Sequence, residues 1–134
     1  MDASLQQLVA WSLVVAGFLS GALLGLRFHD DAFAGGYGSF RRRLLRLGHI
    51  ACIALGLIAL ELQRTLAALG GAAPEWLAPA FLAGALAMPA TCFLTAWRRP
   101  FRHAFPLPVA LLVVPVITLL IALAAPSAGS GSSP

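Results

Sequence analysis

The stretch LPVALLVVPVITLLIALAA, residues 107–125, carries no charge and a single hydroxyl, at Thr118. Wound as an α-helix it rises about 28 Å, close to the roughly 30 Å of hydrocarbon in a bilayer. Leu, Val and Ile fall on every side of that helix, so no polar face is left for water. Only Pro115 and Thr118 break that pattern. The stretch is therefore read as a transmembrane helix.

Three other apolar runs of similar length precede it: Leu5 to Leu26, Leu45 to Leu69, and Leu77 to Trp97. Chain breakers separate them, with Gly35, Gly36 and Gly38 in the first connection, Gly70, Gly71 and Pro74 in the second, and Pro100 and Pro106 in the third. Connections this short make neighbouring helices antiparallel. The expected fold is all-α: one bundle of four antiparallel transmembrane helices over residues 1–126, followed by a disordered Ser- and Gly-rich tail over 127–134. The composition agrees, since 60% of the 134 residues are hydrophobic and 10% are charged, against about a quarter charged in a soluble domain. With almost no soluble mass, the net charge of +4 has no face on which to build a nucleic-acid patch, and no nucleic-acid partner is expected.

The few charges set an orientation. All nine basic residues other than histidine are Arg, as in a GC-rich bacterial genome, so a multi-pass protein of the bacterial inner membrane is expected. Arg27, Arg41, Arg42, Arg43, Arg46, Arg98, Arg99 and Arg102 flank the first and third connections, and Asp30 and Asp31 reduce that side to +6. Arg64 against Asp2, Glu61 and Glu75 leaves −2 on the other. The positive-inside rule then places both termini outside the cytoplasm. Ala32-Phe33-Ala34 resembles a signal cleavage site, but the start lacks positive charge and the apolar run is long, so an uncleaved first helix is expected.

Small and polar residues mark contact faces between helices in lipid, where apolar surface gains nothing by touching more of its kind. Gly17, Gly21 and Gly25 form two overlapping close-approach motifs on the first helix. His49, Cys52, Gly56, Ala59 and Gln63 mark the inward face of the second, and Ala80, Gly84, Met88, Cys92 and Ala96 that of the third. The fourth helix has no such face and is expected to meet lipid or a partner subunit. Gly17, Gly21, Gly25, Gly56 and Gly84 are the expected packing glycines.

Four constellations carry potential chemistry. Counting from Arg46 and Arg98 puts Cys52 and Cys92 at one depth, with His49 and Met88 a turn away, and thiolate, thioether and imidazole together suit copper(I). The alternative is that Cys and Met simply fill apolar space. Haem needs two facing His, for which His29, His49 and His103 are the available set, and the competing reading is interfacial solvation. Glu61 is the acidic residue inside a span, a proton-relay candidate unless Arg64, three residues on, pairs with it. Lastly, the Gly-rich segment before Arg41, Arg42, Arg43 and Arg46 can present backbone N–H groups to an anion. With Arg98, Arg99 and Arg102 it forms an expected surface for anionic lipid headgroups.

The reading that follows is a non-catalytic accessory or structural subunit of a larger, energy-transducing membrane complex, with other membrane subunits as partners and no cofactor. The alternative is a small redox or copper- or haem-binding protein built on His49, Cys52, Met88 and Cys92. A proton-coupled transporter using Glu61 ranks third.

Overall fold

The computed structural model describes residues 2–27, 29–71 and 73–124. The tail over 127–134 and Ala125, the last residue of the expected fourth span, lie outside the described residues. Among those described are four α-helices: α1 (Ala3–Leu26), α2 (Phe40–Ala68), α3 (Leu77–Trp97) and α4 (Pro106–Ala124). All four are long and apolar enough to cross a membrane. Two short 3-10 helices, Phe33–Gly35 and Arg99–Ala104, lie in the first and third connections.

The helix ends follow local chemistry. Ser39 caps α2, its hydroxyl accepting the Arg42 N–H at 3.1 Å, the usual device for an orphan donor in a first turn. That cap starts α2 five residues before the expected Leu45, so Arg41, Arg42 and Arg43 belong to the helix, not to the loop. At the other end Gly70 and Gly71 adopt φ of 58° and 90°, left-handed values that close a helix at little cost only in glycine. Pro106 opens α4, where its missing N–H would have had no helical acceptor.

Packing is sequential rather than closed. α1 lies against α2, α2 against α3, and α3 against α4, while α1 meets α3 only briefly. Among the described residues the backbone of α4 runs close to α3 and the Arg99–Ala104 turn, but not to α1 or α2. The core is thus a three-helix one, with Ala10 and Leu13 of α1, Cys52, Ala59 and Leu62 of α2, and Phe81, Leu82 and Ala85 of α3 at its centre. Only Pro108 and Pro115 of α4 are buried. From α4, the partly buried Leu112 and Leu119 pack against this core.

The glycines explain how closely the helices approach. A Cβ on Gly56 would sit 2.9 Å from the Ala10 carbonyl oxygen of α1, and one on Gly84 would sit 2.9 Å from Leu111 Cβ of α4. Gly17 and Gly21 seat α2 side chains, Ile53 and Cys52 at the first and His49 at the second. Gly25 departs from expectation, because a Cβ there would meet nothing within 4 Å. The face rotates away from α2 before the helix ends. Gly48, outside the expected set, does seat a neighbour: its Cβ would lie 2.9 Å from the Phe93 ring and 3.2 Å from Cys92 Cβ.

Candidate functional site

A cavity of about 450 Å³ lies at the arginine-rich end, between the Phe33–Gly35 turn, the first turn of α2 and the last turn of α3. Ser39, Phe40 and Arg41 form one wall, and Thr95 and Trp97 another, with Arg99 at the edge. The turn is held open by a specific backbone. Ala34 takes φ 58°, a left-handed value rare in a residue with a side chain, next to Gly35 at 90°. Ser39 secures it in both directions, donating its hydroxyl to the Ala34 carbonyl at 2.7 Å while accepting from Arg42 N–H.

Tyr37 reinforces the same corner. Its ring lies 4.8 Å from the Arg42 guanidinium and 4.4 Å from that of Arg46, inside the range for cation–π attraction. Arg42 is consequently 3% exposed, buried behind Tyr37 instead of being offered to headgroups as the sequence reading placed it. Arg46 is half-buried, and Arg41, Arg43, Arg98, Arg99 and Arg102 are exposed. Asp30 is turned locally, its carboxylate accepting the Ala32 N–H at 2.9 Å.

Thr95 is the residue that sequence reasoning missed. It is 1% exposed, and its hydroxyl has no hydrogen-bond partner among the described residues. Thr65, Thr91 and Thr118 instead donate to the carbonyl four residues back, at 3.0, 2.8 and 2.9 Å, the usual resort of a hydroxyl in an apolar helix. A helical position alone says nothing of that choice, so no sequence signal separated Thr95 from Thr91.

The packing turns His49 away from the cysteines' contact with α3 and toward α1. His49 Nδ1 donates to the Gly17 carbonyl of α1 at 2.8 Å, which fixes the proton on that nitrogen, and Ser20 donates to the same carbonyl at 2.8 Å. The His49 ring sits against Gly21, with Nδ1 2.9 Å and Nε2 3.0 Å from where a Cβ would be. His49 therefore ties α2 to α1 and does not face Cys92. Cys92 packs at Gly48, one turn from Cys52, and both thiols are free and buried. Met88 is half-buried on α3. Among the described residues no group of three or more His, Cys, Asp or Glu is placed to hold a metal ion. His29 and His103 are exposed in the two basic connections, and His103 Nε2 accepts from its neighbour Arg102 Nε at 3.3 Å.

Glu61 and Arg64 meet at 3.3 Å, and both side chains are exposed, by 67% and 77%. This is the i,i+3 pair that the sequence spacing offered as the alternative to a relay.

The fold and this end of it define a class: an all-helical chain with four membrane-length apolar helices and an arginine-lined cavity at one end. No protein-family model, curated protein or solved structure matches the chain.

Proposed function

We propose that the protein is a non-catalytic accessory subunit of a larger, energy-transducing membrane complex, with α4 as the contact to its neighbour. The observation that carries this reading is the position of α4. Among the described residues its backbone runs close only to α3 and the Arg99–Ala104 turn, and it leaves Leu107, Val114, Ile117, Leu120 and Ile121 exposed. A helix held on one side is the natural edge at which an assembly continues. The proposal includes an antiparallel arrangement in the bacterial inner membrane, with the arginine-rich end in the cytoplasm and both termini outside, supported by the +6 against −2 charge division.

Gentle solubilisation followed by native mass measurement tests the assembly. Defined heteromeric species that dissociate when Ile117 and Ile121 are replaced by Trp support it, and a lone monomer or homodimer overturns it. Reporter fusions to the C-terminus test the topology, and activity of a cytoplasm-dependent reporter there reverses the orientation.

A further inference from the structure

We propose that the cavity at the arginine-rich end binds a phosphate-bearing anion, delivered either as a lipid headgroup or as soluble phosphate. The two sources share one chemistry: several acceptor oxygens with negative charge.

The cavity offers donors from independent parts of the chain. The N–H groups of Phe40 and Arg41 precede the first helical hydrogen bond of α2, which Arg43 N–H makes to the Ser39 carbonyl at 3.1 Å, so neither has a helical acceptor. Both residues line the cavity. A helix of 29 residues adds the positive end of its dipole at that point. Arg41 and Arg99 contribute full charges from two different elements, and no acidic residue lines the space.

Thr95 distinguishes this from a helix terminus that happens to be near arginines. A buried hydroxyl without a partner is costly, on the order of 1–3 kcal/mol, and the ordinary remedy used by Thr65, Thr91 and Thr118 is not used here. A phosphate oxygen in the cavity would supply the missing acceptor.

The opposing influence is the last turn of α3, whose carbonyls carry partial negative charge toward the same region. One of them, on Leu94, is already occupied by Arg98 N–H at 2.7 Å, and Arg99 counters the remainder. Setting membrane topology accounts for the arginines as charges but requires neither a cavity nor an unpartnered threonine. It also does not require the Ser39 bonds that hold the Ala34 turn in shape.

The test uses the full chain in neutral detergent micelles, titrated with short-chain phosphatidic acid and, separately, with inorganic phosphate. Trp97 lines the cavity, and its fluorescence in a Trp11→Phe/Trp76→Phe background reports occupancy. Saturable binding of either probe is expected. Phosphatidic acid binding without phosphate binding assigns the headgroup, and binding of phosphate that competes with the lipid assigns the soluble anion.

Arg99→Gln should weaken the binding about 10-fold or more, as expected for a lost charged hydrogen bond. Thr95→Val, of the same shape without the hydroxyl, should weaken it several-fold, and Thr95→Ser should restore it. Arg102→Gln removes an equal charge from the same end outside this cavity and should change affinity less than about 2-fold. The proposal is overturned if neither probe saturates, or if Arg102→Gln and Arg99→Gln lose affinity equally. Should Thr95→Val fail to fold, the Arg99 and Arg102 comparison, both at exposed positions, decides the matter.

Discussion

α3 and α4 are adjacent apolar helices of similar length, 21 and 19 residues, and each contains an internal proline that is buried, Pro89 and Pro115. Their surroundings differ completely. α3 buries residues on several faces, among them Leu77, Phe81, Ala85, Thr91, Cys92 and Thr95, whereas α4 buries only two of its three prolines, Pro108 and Pro115. The more uniformly apolar helix is the less buried one. In water that order would be perverse, but in lipid apolar surface gains nothing by leaving the hydrocarbon, and close backbone approach decides what packs. α3 has small and hydroxyl residues for neighbours on two sides to approach. α4 has bulky ones and meets a partner only where Gly84 of α3 lets it in.

Substituting single glycines can break this contrast. Gly56→Ala should have the largest effect, lowering stability by about 2 kcal/mol, because the new methyl meets a backbone carbonyl of α1 that cannot swing aside. Thermal or SDS unfolding in detergent reads the loss. Gly84→Ala presses Leu111 in the same way, yet among the described residues α4 backs only onto α3 and the Arg99–Ala104 turn and can move outward. A smaller loss, about 1 kcal/mol, is expected there, with α4 becoming more protease-accessible in micelles. An equal or greater loss than at Gly56 would mean that α4 is part of a closed bundle after all.

His49→Phe keeps the ring over Gly21 and removes the bond to the Gly17 carbonyl. It should cost roughly 0.6–1 kcal/mol, the scale of interhelical hydrogen bonds in membranes, and the same unfolding assay measures it. Gly25→Ala is the smallest case. With nothing near the new methyl and a better helix former in place, stability should stay within about 0.5 kcal/mol or rise slightly. A clear destabilisation in the native membrane but not in micelles would instead reveal a partner seated on that face of α1.

Much of the fold was legible because bilayer thickness and short glycine- and proline-marked connections leave few arrangements for four long apolar runs. The start of α2 was misplaced because hydropathy ends where the arginines begin, while the helix is extended by Ser39 and by Tyr37 lying against Arg42 and Arg46. In the site, the glycine-rich segment and the arginines were visible as residue types. Arg42 and Arg99 have the same chemistry in sequence, yet one is buried behind an aromatic ring and the other borders the cavity. Counting from the anchors placed Cys52 and Cys92 level, but it carries no record of rotation about the helix axis, which turned His49 toward α1, and Cys92 packs at Gly48, one turn from Cys52.

The sequence by itself determined that the chain has four membrane-length apolar helices, and where its charges fall along them. Those properties depend on composition over about twenty residues, which a linear reading measures directly. Only the tertiary structure decided that Gly48 seats a neighbour while Gly25 does not, that His49 turns toward α1, and that Thr95 has no hydrogen-bond partner among the described residues. These depend on the rotation of each helix about its axis and on contacts of a few ångströms between residues far apart in the chain. Such contacts are set by which backbones come close enough to touch, and hydropathy carries no record of that.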